Sequence, residues 1–486
     1  MSERDERIKH LEELVRLGVN PYGERFDGAL PIGRITGGYG PETEGREFTA
    51  AGRISGMRGF GKAAFLDLRD ATGKIQLHMR KESFDEAQWR AFHHVGIGDI
   101  LGVTGTAGKT KTGEITLFVT KFTLLTKALR PLPEKWHGLK DPEVRYRQRY
   151  LDLIANPKVR ETFIKRSRIV TLTRAFLDGR GYLEVETPMM HAIPGGAAAR
   201  PFKTHHNALD ADLFLRIALE IPLKKLLVGG LDRVYEIGRV FRNEGIDANH
   251  NPEFTLLELY HAYGDLRTMM ELVEALVGHL AKEIAGGVRL MYGEKELSVA
   301  APWPRRDYLE LLREHAGVDA KSDDALRAKL RERKVPTDGM AHIDLVDKVF
   351  SEYVEPHLQS ACFVTGHPVE MAPLCREDPK RPGQADRFEP YLAGMEIGNA
   401  YTELNDPLEQ RRRLTAQAGG GDEMVREGKV DEDFLAALET GMPPAGGLGI
   451  GIDRLVMILT NAATCREVVL FPLLREGGGA PPEGEA

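Results

Sequence analysis

Four ionisable side chains, Arg242, Glu244, His250 and Glu258, fall in one short stretch, and their types suggest a charged ligand. The stretch reads Phe241-Arg242-Asn243-Glu244-Gly245-Ile246-Asp247-Ala248-Asn249-His250-Asn251-Pro252-Glu253-Phe254, then Thr255-Leu256-Leu257-Glu258-Leu259-Tyr260. A guanidinium presents a planar fork that suits carboxylate or phosphate oxygens. A carboxylate among apolar residues suits an ammonium. Val234 to Phe241 is rich in β-branched and aromatic residues, and Thr255 to Tyr260 alternates. Leu256, Glu258 and Tyr260 therefore share one face and Leu257 and Leu259 the other. Two such runs around a polar loop predict a hairpin with Arg242 and Glu244 at its mouth and Glu258 in mid-strand. Left unpaired in a half-buried sheet, such charges cost roughly several kcal/mol. A ligand bearing both phosphate and amine groups would pair them, and a solvated surface hairpin is the plainer alternative.

The words Arg-Asn-Glu-Gly and His-Asn-Pro-Glu-Phe in this stretch resemble the second signature motif of class II aminoacyl-tRNA synthetases. Other segments narrow the resemblance to the lysyl-tRNA synthetase family. They are Pro-Gly-Gly-Ala at 194–197, Arg-Pro-Phe at 200–202 and Thr-His-His-Asn-Ala-Leu-Asp at 204–210. Glu-Leu-Asn-Asp-Pro at 403–407 and Gly-Leu-Gly-Ile-Gly-Ile-Asp-Arg at 447–454 complete the set, so the likeness runs from about residue 45 to 475. It implies an ATP-dependent ligase that joins L-lysine to tRNA(Lys) through a lysyl-adenylate, in the cytoplasm, as a homodimer. That chemistry needs no enzyme nucleophile, because the amino acid's own carboxylate attacks phosphorus; catalysis is positioning and electrostatics.

Roles follow from the matching positions. Arg242 corresponds to the arginine on the α-phosphate and the amino-acid carboxylate, and Phe254 to the residue stacked on adenine. Glu244, His250 and Asn251 correspond to the loop around the nucleotide. Arg454 completes the catalytic pair: Asp453 is expected to cap the helix that follows the glycines, leaving Arg454 at an electropositive helix start where triphosphate would sit. Glu389 and Glu396, around the apolar run Pro390 to Met395, match the carboxylates that hold Mg²⁺, a cation that takes few protein oxygens and keeps phosphates and water for the rest. Glu220 and Glu258, with Tyr260 beside them, match residues facing the lysine ammonium. Asn399, Tyr401, Glu403 and the backbone of Gly196 match the rest of that pocket. Buried acids reject uncharged or anionic side chains, which separates lysine from aspartate and asparagine. The chain departs from the family at Leu219-Glu220-Ile221, where Pro-Glu-Leu is general, and at Pro222, which is expected to disturb the Glu220 backbone. Ala372 replaces a common serine, and Tyr401 stands where bacterial members often have phenylalanine.

The elements that must carry these groups can be traced along the 486 residues, a length that suggests two or three domains. Residues 1–45 are a charged amphipathic helix, with Ile8, Leu11, Leu14 and Val15 at helical spacing, and a Gly/Pro-rich linker. Residues 46–127 hold five strand candidates at 47–55, 62–69, 74–80, 98–106 and 114–126, with a helical insert near 83–94, which suits an oligonucleotide-binding barrel. Phase puts Ala64, Leu66, Leu68, Ile75, Leu77 and Met79 inside and leaves Phe65, Gln76 and His78 outside as an anticodon-reading set or as isolated surface residues. A connector, 128–150, contains the basic-aromatic run Arg145 to Tyr150, which is either a tRNA contact or a hinge. Residues 151–475 form the α+β catalytic domain. Its helix at 158–180 resembles the motif that builds the dimer interface, 265–360 are mainly helical, and 476–486 read as a disordered tail.

Composition narrows the alternatives. The first 150 residues carry 25 Lys+Arg against 20 Asp+Glu, while the whole chain is net −7, so the N-terminal part is the more suited to a polyanion. Three cysteines in no metal-ligand spacing fit a reducing compartment and inert thiols. No apolar run is long enough to span a membrane, and the N-terminus has no signal-peptide pattern. Gly108-Lys109-Thr110 has Val103 in place of a leading glycine, so it is not a phosphate-binding P-loop.

Overall fold

The computed structural model describes residues 2–59, 61–132, 139, 141–418 and 430–474. The chain divides into two compact units, Met1–Lys140 and Asp141–Ala486. The expected tail at 476–486 lies outside the described residues.

In the first unit α1 (Glu3–Arg16) starts in a capping box: the Ser2 hydroxyl accepts the Asp5 N–H, and the Asp5 carboxylate accepts the Ser2 N–H. Leu14 is its buried contact, whereas Val15 is 56% exposed. Neighbouring helical residues lie about 100° apart, so only one of the two can face the barrel. Five strands follow, β1 (Glu47–Arg58), β2 (Ala63–Arg69), β3 (Lys74–Arg80), β4 (Ile100–Lys109) and β5 (Ile115–Thr126), with α2 (Glu86–Phe92) between β3 and β4. They close as a barrel in the order β1-β2-β3-β5-β4. Ala64, Leu66, Leu68, Ile75, Leu77 and Met79 fill its interior, as the alternation requires.

On the outer side Phe65 and His78 are cross-strand partners and stack with ring centroids 4.5 Å apart and planes 6° from parallel. Phe118 of β5 meets His78 edge-on at 5.4 Å. Gln76 corrects the expectation of an outward, readable amide. It is buried, and its side-chain oxygen accepts the Thr116 hydroxyl at 2.9 Å. The parallel pairing of β3 with β5 sets Thr116 directly beside it. The phase was right, but a neighbouring strand covers that position.

The second unit opens with two short helices, Pro142–Arg147 and Arg149–Ala155, continues in α3 (Pro157–Asp178) and is built on a nine-stranded sheet. In chain order its elements are β6 (Leu183–Glu184), α4 (Glu220–Val228), β7 (Arg233–Phe241), β8 (Glu253–Ala262), α5 (Leu266–Ala285), β9 (Arg305–Asp307) and α6 (Tyr308–Ala316). Next come α7 (Asp323–Glu332), α8 (His342–Tyr353), β10 (Cys362–Thr365), β11 (Arg387–Leu392), β12 (Met395–Glu396), β13 (Gly398–Thr402), β14 (Ala445–Gly451) and α9 (Ile452–Thr460). The strand order is β9-β10-β11-β13-β14-β8-β7-β6, with β12 paired to β11. Only the outermost pairs, β6 with β7 and β9 with β10, are parallel. Leu257 and Leu259 face a core shared with α5 and α9, which frees the opposite face of β8 for Leu256, Glu258 and Tyr260.

Two arginines of the run Arg145 to Tyr150 are engaged within the second unit. Arg149 is buried: its guanidinium bonds Asp152 at 2.8 Å and the carbonyl oxygens of Arg466, Val469 and Leu470. Arg145 takes the other Asp152 oxygen at 3.0 Å. A buried carboxylate needs such partners, and that need takes up Arg145 and Arg149.

Candidate active site

A cavity of about 1120 Å³ opens on the face of the sheet away from α5 and is lined by β8, β11, β13, β14 and the loop after β7. Arg242, Glu244, His250, Asn251, Phe254, Glu258, Tyr260, Asn399, Tyr401, Glu389, Glu396, Arg454, Gly196 and Glu220 all line it. Of the residues expected there, only Glu403 does not.

At one end the acids gather. Glu220 is the first residue of α4, and Pro222 falls within that first turn, where the missing N–H would have had no helical partner. The proline is thus accommodated and Glu220 keeps its place, contrary to the expected disturbance. The Tyr401 hydroxyl donates to Glu220 Oε1 at 2.5 Å, so the hydroxyl that distinguishes this chain at that position holds an acid in place. Glu258 accepts the Leu219 N–H at 3.1 Å and the Tyr260 hydroxyl at 3.3 Å. Among the described residues it forms no ion pair, and burial followed by the charge of Glu220 raises its carboxyl to about 8. Gly196 lies in the left-handed region at φ +88°, where an added Cβ would come within 3.0 Å of Ala218 and 3.1 Å of Glu220. Only glycine suits both its dihedral and its space.

At the other end the groups are cationic. The guanidinium of Arg242 lies 5.1 Å from the Phe254 ring centroid, and its one hydrogen bond among the described residues is a long 3.5 Å contact from Nε to the Ile217 carbonyl. Its remaining donors are free for a ligand. Arg454 sits in the first turn of α9 and donates to the Glu396 carbonyl at 2.6 Å and to His250 Nε2 at 3.0 Å. Asp247 accepts His250 Nδ1–H at 2.8 Å, which leaves Nε2 as the acceptor. Asp453 does not cap α9, whose cap position is Gly451. Its carboxylate instead accepts the Thr255 N–H at 3.1 Å and pairs with Arg166 at 2.5 Å. The pull of these partners from β8 and α3 outweighs a local cap. Asn251 donates to the Glu253 carbonyl at 2.7 Å and leaves its own side-chain oxygen unpartnered.

Between the two ends stand Glu389 and Glu396. The pairing of Tyr391 with Glu396 brings the two glutamates to one face. Glu389 is occupied: Arg387 bonds one oxygen, and His367 and Tyr391 bond the other, each at 3.1 Å. Burial works against its charge, but Arg387 and His367 hold it well below the usual carboxylate range. Among the described residues Glu396 has only Arg454 as an ion-pair partner, at 3.5 Å, and burial and then the charge of Glu389 push it up to about 7. No cluster of three or more His, Cys, Asp or Glu side chains among the described residues is arranged to hold a metal by itself. A pair of hard oxygens with one carboxylate uncompensated fits Mg²⁺ that takes its other ligands from phosphates and water.

Arg387, His367 and Lys224 were missed by sequence reasoning. Arg387 donates to Asn399 at 2.7 Å as well as to Glu389. Lys224 is wholly buried, 2.6 Å from Glu220 and 2.5 Å from Glu403. Its only sequence signal is a spacing of four from Glu220 on one helix face. The three cysteines are free and buried, and burial pushes Cys362 and Cys465 up to about 11, which leaves them protonated.

Residues 141–475 match the family model for tRNA synthetases class II (D, K and N), and residues 48–125 match that of the OB-fold nucleic acid binding domain. The chain therefore belongs to the class II tRNA synthetases, built as an antiparallel-sheet catalytic domain behind a five-stranded OB barrel. Its relatives place it more closely. It is 50% identical to the lysine–tRNA ligase of Moorella thermoacetica, over 96% of this chain and 97% of the relative. It is 49% identical to those of Halalkalibacterium halodurans, over 96% of each chain, and Bacillus subtilis, over 97% and 96%. Within the class, it is a member of the lysine–tRNA ligase family.

Proposed function

We propose that the protein activates L-lysine with ATP and transfers it to the 3′ end of tRNA(Lys). The observation that carries this reading is one cavity with an ion-pair-free carboxylate, Glu258, at one end and the free donors of Arg242 at the other. A molecule with an ammonium side chain and a carboxylate joined to phosphate satisfies both. In the first step a lysine carboxylate oxygen bonds to the α-phosphorus of ATP, the bond to the β-phosphate oxygen breaks, and pyrophosphate departs. Arg242 neutralises charge on the α-phosphate, Phe254 supports the adenine, and Arg454, steadied by His250, receives the distal phosphates. In the second step a ribose hydroxyl of the tRNA end attacks the lysyl carbonyl carbon and AMP leaves. Glu389 and Glu396 would hold Mg²⁺, which supplies further charge neutralisation to the phosphates.

Side-chain recognition falls to Glu258, Tyr260, Glu220, Asn399 and Tyr401. Aspartate would meet like charge, and asparagine would leave Glu258 without a counter-ion. In the barrel, Phe65 and His78 offer an outward ring stack suited to unpaired bases. We infer a homodimer because Ile164, Leu183, Met189 and Met190 stand 48–59% exposed on α3 and the segment after it. No helix among the described residues is long and apolar enough to cross a membrane, and cytoplasmic residence follows from the tRNA substrate. Pyrophosphate exchange with each of the twenty amino acids tests the reading. Lysine alone should drive it, and exchange driven by aspartate or asparagine but not by lysine would sink it.

A further inference from the structure

The carboxylate of Glu389 is gripped unevenly. Each oxygen of a carboxylate offers about two acceptor sites. On Oε1 one site is taken, by Arg387. On Oε2 His367 Nε2 bonds at 3.1 Å, and the Tyr391 hydroxyl stands at the same distance. That hydroxyl has a single proton and also lies 3.2 Å from Glu355, so two carboxylates share it. His367 is therefore the undivided donor to Oε2. Among the described residues only Oε1 keeps a lone pair that no protein donor approaches.

The local fold fixes the imidazole in this pose. His367 lies two residues beyond β10 and is 1% exposed. Gly366 before it sits at φ +76°, and a Cβ there would come within 2.6 Å of Asp307 and 3.1 Å of Arg381. The His367 carbonyl accepts the Ala385 N–H at 2.9 Å. Tyr308, the first residue of α6, lays its ring 4.7 Å from the imidazole and stacks on Phe350 at 4.1 Å. Nδ1 has no partner among the described residues, so the ring's polar contact is the one to Glu389. A purely packing role does not explain a buried, unpartnered nitrogen, because phenylalanine would fill the same space without it.

We propose that His367 is a positioning residue that reserves Oε2 of Glu389, so that this glutamate presents one oxygen, Oε1, to a divalent cation and favours Mg²⁺ over Ca²⁺. The inference rests on the reading that Glu389 and Glu396 hold Mg²⁺. Ca²⁺ readily takes both oxygens of a carboxylate within a loose shell of roughly six to eight ligands. Mg²⁺ demands a near-ideal octahedron at about 2.0–2.1 Å and is served by one oxygen from each carboxylate, with phosphates and water for the rest. A second oxygen already held by a fixed N–H is withheld from the first arrangement and is not needed for the second. His367 thus acts through Glu389.

The test is calorimetry on the full-length protein, measuring the Kd of ATP at saturating Mg²⁺ or Ca²⁺ and the Kd of lysine without ATP. His367→Phe keeps a ring against Tyr308 and removes the donor. Its preference for Mg²⁺, read as the ratio of the two ATP Kd values, should fall roughly tenfold or more, the scale of deleting an outer partner of a metal ligand, with the lysine Kd unchanged. His367→Gln, whose amide reaches the place of Nε2, should restore the wild-type ratio. A folded Phe variant with an unchanged ratio would overturn the proposal. So would equal weakening of ATP with both ions and of lysine, the mark of a structural role, or a Gln variant that behaves like Phe. If His367→Phe does not fold, His367→Asn places its amide near Nδ1, too short to reach Glu389, and should lose the preference; a wild-type ratio there would also overturn it. Wild-type ATP binding that needs no divalent ion would instead refute the metal reading itself.

Discussion

The outer face of the barrel and the cavity of the catalytic unit are both proposed to meet RNA or nucleotide, yet they are prepared in opposite ways. On the barrel Phe65, His78 and Phe118 pack on one another as stacked and edge-on rings, and burial followed by the charge of Arg80 lowers the His78 pKa, which favours its neutral ring. In the cavity several charged or titratable side chains lack full partners among the described residues: Arg242 with free donors, Glu258 without an ion pair, and Glu396 with Arg454 alone. The first surface is already stacked before it binds anything, and a base adds one more layer to it. The second holds buried acids that burial pushes toward protonation until a cationic ligand fixes their charge. Single substitutions should therefore have large effects in the cavity and modest ones on the barrel.

Arg242→Ala should give the largest effect. Loss of its donors at the α-phosphate should cost adenylation about 3 kcal/mol or more, the scale of deleting one preorganised electrostatic donor. A folded Ala variant with near-normal pyrophosphate exchange would break the comparison at its strongest point. Glu258→Gln comes next. The KM for lysine should rise by a factor of tens, since hydrogen bonds to charged groups contribute roughly 1.5–3 kcal/mol.

The pH dependence sharpens the same point. The Glu258 carboxyl, raised to about 8 without a guest, must be ionised to accept an ammonium. Below that pH a proton has to leave as lysine binds, so affinity should fall about tenfold per pH unit, or about 1.4 kcal/mol. Calorimetry in two buffers of different ionisation enthalpy would detect the released proton, and affinity independent of pH between 6 and 8 would contradict an uncompensated acid. Phe65→Ala should be the mildest. It should weaken tRNA charging by about 1 kcal/mol, the low end for one base–aromatic stack, because His78 remains as a platform. Lysyl-adenylate formation should not change. A loss of thermal stability with tRNA charging intact would make Phe65 a packing residue.

How far these differences could be read from the sequence follows the range of the interactions. The barrel strands, the alternation that buries Leu66 and Leu77, and the placement of Glu258 opposite Leu257 and Leu259 all depend on local period, and the chain shows them directly. Gln76 was misjudged because its cover, Thr116, comes from a strand that pairs with β3 only after the barrel closes. Asp453 looked like a cap until Arg166 and Thr255 were brought to it from distant segments. Lys224 looks like any lysine on an amphipathic helix. Its burial depends on Glu403 arriving from a strand on the far side of β14 and β8.

Arg149 has a consequence of another kind. By binding the carbonyl oxygens at 466, 469 and 470 it ties the start of the catalytic unit to the last stretch of described chain. Arg149 and the segment 466–470 are thus neighbours in space although more than 300 residues of chain separate them. An open reading frame that began inside a surface turn and joined residue 470 to the segment before Arg149 by a short peptide would keep every strand pairing of the sheet. Removing the residues beyond Cys465 would instead leave a buried arginine with three carbonyl partners missing. The order in which this domain is written along the gene is therefore freer than its length.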